Sequence, residues 1–122
     1  MTTKELGQIG EKYALQWLTA TGHKIIKTNF TWRQGEMDII SYDTWEKELV
    51  FTEVKSRTGN SFGDGEESLS HQKIERLIKT AFHFMGSCMQ QKMSWRMDLI
   101  ALKLTKKGVM RNISHFKNIL DE

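Results

Sequence analysis

The stretch GEMDIISYDTWEKELVFTEVKSR, residues 35–57, decides the fold because it contains two mostly apolar strands separated by a polar turn. Charged residues interrupt both strands. Asp38 lies within the first apolar run, and Glu53 and Lys55 lie at the end of the second. Burying a charge is costly unless the group is paired or coordinates a metal. The sequence therefore predicts a β-hairpin that brings three charged groups together.

Side-chain alternation places Glu53 and Lys55 on one face of their strand. Successive side chains point to opposite faces, and a rise of ~3.3 Å per residue separates these two Cα atoms by about 7 Å. In a hairpin, the partner strand can bring Asp38 beside them. Two carboxylates on neighbouring strands form a hard oxygen site that suits Mg²⁺ or Mn²⁺. The main-chain carbonyl of Val54 is a further candidate ligand.

Metal-dependent phosphodiester hydrolysis is the chemistry that this hairpin can support. Asp38 and Glu53 are the candidate metal ligands, and Lys55 would position the attacking water or stabilise charge on the phosphate. The metal would polarise the scissile phosphate and lower the pKa of its water. The structural alternative is a buried ion pair, Asp–Lys or Glu–Lys, that holds one end of a sheet. Spacing alone leaves both interpretations open.

The rest of the chain predicts helices and further strands around the hairpin. The predicted order is α-β-β-β-α-β-β: helix 3–21, strands 23–33, 36–42 and 48–56, helix 68–91, and strands 95–104 and 109–116. Apolar residues recur at helical spacing in both helices. Residues 57–67 contain three glycines and form either a binding loop or a plain connector. The expected fold is a single α/β domain, residues 1–122, with a mixed sheet.

Several side chains outside the hairpin are candidates to approach it. Glu11 lies at the edge of the apolar stripe of the first helix, where it either leans into a cleft or pairs with Lys12 or a neighbouring base. Lys73 lies at the flank of the stripe on the second helix. Trp32 and Arg33 end the first strand, and the indole either stacks on a base or packs at the rim of the core.

Other polar residues have a structural interpretation. Arg96 and Asp98 share one face of the fourth strand, which predicts an ion pair between them. His115 is expected to be a packed or surface histidine and not a metal ligand. His23, next to the predicted end of the first helix, is expected at the surface.

Composition restricts the class of protein. Eighteen Lys and Arg against fifteen Asp and Glu give a net charge of +3, which allows a nucleic-acid partner without demonstrating one. No apolar run approaches the ~20 residues that a transmembrane helix needs. The single cysteine excludes an intrachain disulfide. We expect a soluble, cytoplasmic protein with no membrane partner.

One set of motifs extends over nearly the whole chain: Gly7-x-x-Gly10-Glu11 with Ala14 and Leu18, Asn29, Arg33-x-Gly35-Glu36-x-Asp38, Val50-Phe51-x-Glu53-Val54-Lys55-x-Arg57, Phe62-Gly63, Lys73, Arg96-x-Asp98, Ile113-x-His115 and Asn118. This combination resembles the YraN-like bacterial proteins. More widely, it resembles the PD-(D/E)XK nuclease superfamily, and its pattern is similar to that of archaeal Holliday-junction resolvases. The combination is more specific than any one of its motifs.

The resemblance implies a restriction-endonuclease-like fold, an α-β-β-β-α-β core with a mixed sheet flanked by helices. It assigns Asp38, Glu53 and Lys55 to the nuclease triad. It assigns Glu11 to an acidic position that assists the metal. Met37 stands where the superfamily name has proline, and this difference removes no charged group.

The resemblance also implies a partner and a cofactor. Lys73 matches an auxiliary phosphate contact, and Arg33 and Arg57 are candidate nucleic-acid-binding residues. We expect an endonuclease that hydrolyses DNA with Mg²⁺ or Mn²⁺, with selection by DNA structure, and a homodimer is compatible with this. The alternative is a non-catalytic nucleic-acid-binding or interaction module that retains the nuclease fold. Converging carboxylates repel phosphate, and therefore favour catalysis over binding alone.

Overall fold

The computed structural model describes residues 1–59, 69–88 and 93–120. The elements are α1 (Thr3–Ala20), β1 (His23–Trp32), β2 (Gly35–Asp43), β3 (Glu48–Thr58), α2 (His71–Cys88), β4 (Trp95–Leu104) and β5 (Met110–Phe116). This order confirms the predicted α/β class. The predicted loop is wrong at its start, because β3 continues through Thr58. Residues 60–67 of that loop, with Phe62 and Gly63, lie outside the described residues.

The strands form one sheet in the order β1-β2-β3-β4-β5. β3 and β4 run parallel, and the other neighbouring pairs are antiparallel. Parallel neighbours need a crossover connection, and α2 lies in the connection between these two strands. The predicted mixed sheet, with its α-β-β-β-α-β core, is confirmed.

Each face of the sheet has its own apolar core. On one face, α1 packs Ala14 and Leu18 against Ile39 and Ile100. On the other face, α2 contributes a second buried cluster with the sheet: Leu77, Ala81, Phe84 and Met85 with Met37, Ile40, Leu49, Phe51 and Met97. The two helices therefore hold the sheet between them, and β1 remains exposed along most of its length.

The β2–β3 hairpin is irregular at Asp38. Met37 and Ile40 belong to the core on the α2 face, whereas Ile39 belongs to the core on the α1 face. Regular alternation would place Met37 and Ile39 on the same face. The pairing of β2 with β3 also ends at Ile39 and Thr52. Beyond that pair the hairpin has no ladder, and Asp38 lies at this open end.

A buried polar network closes the opposite end of the sheet. The predicted ion pair is present, with Arg96 Nε 3.0 Å from Asp98 Oδ1. His115 is packed as predicted, and its Nε2 lies 2.8 Å from Asp98 Oδ2. The prediction for His23 is wrong: it is 5 % exposed. Pairing of β1 with β2 places it opposite Asp43, inside the network, which a local pattern cannot show.

Both helices begin at hydroxyl caps. Thr2 accepts a hydrogen bond from the Glu5 amide, and the Glu5 carboxylate accepts one from the Thr2 amide. Ser70 Oγ accepts a bond from the Lys73 amide at the start of α2. These bonds satisfy amide groups that the first turn of a helix leaves without partners.

Within the described ranges, neither α1 nor α2 is apolar enough over a sufficient length to cross a bilayer.

Candidate functional site

The open end of the hairpin brings Asp38 and Glu53 together. Their side chains are in hydrogen-bonding contact. Glu53 is 5 % exposed, and Asp38 is half-buried. Ionised carboxylates only accept hydrogen bonds, so a bond between these two groups requires a proton on one of them. The structure thus joins two of the three predicted catalytic residues into an acidic pair, which we call the Asp38–Glu53 pair.

The carboxyl group of Glu53 titrates near neutral pH. Burial raises the pKa of Glu53, and the charge of Asp38 raises it further, to about 7. Lys73 opposes this shift, because its Nζ lies 3.2 Å from Glu53 Oε2. A carboxyl with this pKa exchanges its proton readily at physiological pH, and a cation that approaches the pair would favour loss of that proton.

Val54 fixes one side of the pair. Its amide donates a 2.8 Å hydrogen bond to Asp38 Oδ2. This bond holds the Val54 backbone beside the Asp38 carboxylate. The role of the Val54 carbonyl as a metal ligand stays a prediction.

Glu11 approaches the pair from α1. Its pKa is raised by burial and also by the charge of Asp38. Asn29 Nδ2 donates a 2.9 Å hydrogen bond to Glu11 Oε1. Among the described residues, Glu11 makes no ion pair with Lys12, and its side-chain hydrogen-bond partner is Asn29 on β1. The sequence indicates a bend at Asn29 but not this contact, and Asn29 indeed has a φ of 51°.

The predicted basic residues lie at different distances from the pair along the hairpin. Lys55 follows Glu53 by two positions on β3, is half-buried, and has no hydrogen-bond or ion-pair partner in the described part of the chain. Arg57 is half-buried two positions further along β3. Arg33 is exposed in the β1–β2 turn, and the structure does not join it to the pair.

The described acidic side chains do not form a group of three. In the ranges that the structure describes, no three His, Cys, Asp or Glu side chains are grouped closely enough to hold a metal ion. The role of Glu11 in assisting a metal therefore stays a prediction. The donors available for a cation are the two carboxyl groups of the pair and the carbonyl of Val54.

Trp32 packs at the rim of the core, one of the two predicted alternatives. Its Nε1 donates a 3.0 Å hydrogen bond to Thr80 Oγ1, and its ring stacks on His83 with a centroid distance of 3.9 Å. Thr80 and His83 belong to α2, far away in the sequence. Helical periodicity places His83 on the outer face of α2, but it does not indicate that the end of β1 reaches that face.

Sequence comparison finds one family and many relatives. The family described as "Uncharacterised protein family UPF0102" matches residues 10–102. A UPF0102 protein of Desulforamulus reducens is 37% identical over 118 residues, which are 96% of each chain. A UPF0102 protein of Mycobacterium tuberculosis is 31% identical over 121 residues, 98% of this chain and 94% of the relative.

Structural comparison finds a weaker likeness. A repair endonuclease from Pyrococcus abyssi superimposes with a TM-score of 0.48 and 16% sequence identity. The superposition covers 88% of this chain and 42% of that chain. The protein thus spans less than half the length of that endonuclease.

Proposed function

Since the chain belongs to the uncharacterised protein family UPF0102, as its YraN-like motifs predict, we propose its function from its own geometry: a Mg²⁺- or Mn²⁺-dependent endonuclease that hydrolyses DNA. The observation that carries this proposal is the contact between Asp38 and Glu53 in a site where Glu53 is 5 % exposed. Two carboxyl groups in contact destabilise a fold unless they share a proton or a cation. Such an arrangement is typical of a functional site.

The donors at the pair fit a hard divalent cation. Mg²⁺ prefers oxygen ligands, keeps several of its waters, and needs only one or two protein carboxylates besides substrate phosphate. The Asp38–Glu53 pair and the Val54 carbonyl supply such oxygens. When bound, the metal would polarise the scissile phosphate and lower the pKa of a water molecule.

Basic side chains around the pair have separate proposed tasks. Lys55 would orient the attacking water or stabilise charge on the phosphate, because it lies on the strand of Glu53 and has no described partner. Lys73 neutralises Glu53 in this structure at 3.2 Å, and would turn to the phosphate when substrate binds. The Val54 amide keeps Asp38 oriented by its 2.8 Å hydrogen bond. Glu11 would assist from α1.

A cleavage assay tests the proposal. Duplex, single-stranded, flap and junction DNA would be incubated with Mg²⁺ or Mn²⁺, with wild type compared against Asp38→Asn, Glu53→Gln and Lys55→Met. We expect wild-type cleavage and a loss of at least about a hundredfold in each variant, the lower range for removing one catalytic group.

Matched controls lie in the turn at the other end of the same hairpin. Glu46→Gln and Lys47→Gln change the same kinds of charge at positions between β2 and β3. We expect both to cleave like wild type. Equal activity in wild type and in the Asp38, Glu53 and Lys55 variants would place the activity elsewhere and contradict the proposal.

The alternative, a non-catalytic nucleic-acid-binding or interaction module, is favoured by one observation. The described acidic residues do not form a group of three, and Lys73 already neutralises Glu53. A thermal-shift titration separates the two functions. The nuclease proposal expects Mn²⁺ to raise the melting temperature of wild type but not of Asp38→Asn. DNA binding without any metal-dependent shift or cleavage would support the non-catalytic module.

A further inference from the structure

A cavity of about 360 Å³ opens between the β1–β2 turn and α2. This volume is within the range of about 300–1,000 Å³ that is typical of small-ligand sites. Lys73 lines the cavity and also reaches Glu53, at 3.2 Å, so the cavity adjoins the Asp38–Glu53 pair. The sequence predicts a phosphate contact for Lys73 and leaves base stacking open for Trp32, and both residues line this one cavity.

One end of the cavity is basic. Lys73 and Arg76 both line it, and they are three positions apart on α2. Side chains at this spacing are neighbours on one helix face. Arg76 is exposed and Lys73 is partly exposed, so both can turn toward an anion. Two adjacent cations, next to an acidic pair, suit a phosphate group of a nucleic-acid strand.

The other end carries a rigid aromatic ring. Trp32 lines the cavity and is held by its hydrogen bond to Thr80 and by the stacked ring of His83. Gly35 lets the β1–β2 turn lie close to α2, because a Cβ at this position would be only 2.5 Å from Thr80 Oγ1. A half-buried indole of fixed orientation is a platform on which a nucleobase can stack.

Lys73 and Thr80, the residue that accepts the Trp32 hydrogen bond, are seven positions apart on α2. From Lys73 to Thr80, α2 advances about 10 Å along its axis at 1.5 Å per residue. Glu36 also lines the cavity, and its carboxylate disfavours phosphate at the Trp32 end. Phosphate at the basic end and base at the indole is therefore the arrangement that the charges favour.

We propose that this cavity binds one unpaired nucleotide of a nucleic-acid strand, with its base against Trp32 and its phosphate between Lys73 and Arg76. A base inside a duplex cannot enter, because stacking on the indole requires it to leave its own stack. The substrate class is then a single-stranded end or flap. That this strand is cleaved at the Asp38–Glu53 pair rests on the proposed function, whereas its binding does not.

Binding in the presence of EDTA tests the inference without cleavage. Fluorescein-labelled oligo-dT and a blunt duplex of the same length would be titrated by fluorescence anisotropy. We expect tighter binding of oligo-dT, and a loss of about tenfold in Trp32→Ala, the loss of one stacked base. Trp32→Phe should retain most of the affinity. Arg76→Gln should also weaken oligo-dT binding. Neither Trp32→Ala nor Arg76→Gln should alter duplex binding.

Trp45→Ala is the matched control, since Trp45 is 80% exposed at the other end of the hairpin and lies outside the cavity lining. Melting temperatures show whether each variant is folded, and Arg76→Gln keeps the test decisive if Trp32→Ala unfolds.

Thymidine monophosphate is a further ligand in this test. Binding as tight as that of oligo-dT would identify the occupant as a free nucleotide and overturn the proposal for a strand.

The binding and cleavage results together distinguish failure of the nucleotide site from failure of the nuclease proposal. Equal affinity for oligo-dT and duplex, unchanged by Trp32→Ala and Arg76→Gln, would overturn the nucleotide site. If cleavage sensitive to Asp38→Asn persists in that case, the proposed function stands alone. If the nucleotide site is present but wild type cleaves nothing, the nuclease proposal fails and the binding inference remains.

Discussion

At the scale of single residues, the main feature is the buried carboxyl group of Glu53 beside Asp38. An ordinary glutamate loses its proton near pH 4.5, whereas burial and the charge of Asp38 raise the pKa of Glu53 to about 7. The fold therefore holds a carboxyl group that is less stable when ionised than it would be in water. Perturbed pKa values cluster at functional sites, and the raised pKa of Glu53 therefore supports its proposed role.

The raised pKa of Glu53 predicts how the free energy of unfolding depends on pH in the metal-free protein. The folded state keeps the proton up to about pH 7, whereas the unfolded carboxyl loses it near pH 4.5, so stability falls as pH rises through this interval. Glu53→Gln stays neutral. Well above neutral pH we expect this variant to exceed wild type by up to about 3 kcal/mol. The difference should vanish below pH 4.5.

Urea unfolding in the presence of EDTA, at the two ends of this pH interval, measures the difference. Glu46→Gln is the control, because Glu46 is exposed in the turn between β2 and β3. A Glu53→Gln variant that is no more stable than wild type at high pH would show that Glu53 is ionised without strain.

At the scale of elements, the site depends on where pairing stops and on how closely the helices approach. The β2–β3 ladder ends at Ile39 and Thr52, and beyond it the Val54 amide bonds to the Asp38 side chain instead of a strand. α1 then brings Glu11 from one face of the sheet, and α2 brings Lys73 from the other. Small changes in helix position would therefore change the site.

Two glycines of α1 provide a matched test of helix position. A Cβ at Gly10 would overlap the Ser56 hydroxyl on β3, whereas a Cβ at Gly7 would meet nothing within 4 Å. Gly10→Ala should destabilise the fold by about 1–3 kcal/mol through overpacking. Gly7→Ala should stabilise it by about 0.5–1 kcal/mol, because alanine favours the helix.

Urea unfolding of both variants gives these free energies, and cleavage assays show whether Gly10→Ala also weakens activity by moving Glu11. If the two substitutions have the same effect on stability, Gly10 of α1 does not lie in close contact with Ser56 of β3.

At the scale of the whole molecule, the sheet has one open polar end and one closed polar end. Asp38 and Asp43 are five residues apart on β2, or about 16 Å. Around Asp38 the pairing of β2 with β3 has ended, whereas around Asp43 the charges are buried and compensated by Arg96, whose Nη1 lies 3.0 Å from Asp43 Oδ2. The closed end therefore contributes stability, and the open end contributes the proposed chemistry.

Arg96 is expected to be essential for the closed end. Burial alone would raise the pKa of Asp98, but hydrogen bonds from His115 and Arg96 hold it below its ordinary value. Arg96→Met would leave Asp43 and Asp98 buried without their cation, and we expect a loss of about 3–5 kcal/mol near neutral pH. Arg111→Met, at an exposed position on β5, should change stability by less than about 0.5 kcal/mol.

The free energy of unfolding, measured as a function of pH, shows whether the stability lost in Arg96→Met comes from the missing charge. The contribution of Asp98 is present above its unfolded pKa, near 3.8, and is lost as pH falls through the lower folded pKa. The gap between wild type and Arg96→Met should therefore narrow in strong acid. A gap that is independent of pH would assign the loss to packing. The homodimer and the cytoplasmic location remain predictions at this scale.

The sequence by itself determined what depends on neighbours along the chain. Hydrophobic periodicity predicts the order of helices and strands, and strand alternation places Glu53 and Lys55 on one face. The polar turn between β2 and β3 makes Asp38 a candidate partner for them. These conclusions hold because helix and strand periods are local properties, set by backbone geometry.

Only the tertiary structure decided which distant groups meet. It placed His23 inside a buried network, joined Lys73 to Glu53 and brought Asn29 to Glu11. It also formed the cavity between Trp32 and α2. Each of these contacts depends on strand register, on the end of a ladder, or on the depth of a helix against the sheet. Such distances follow from packing over the whole molecule, and local sequence periods carry no information about them.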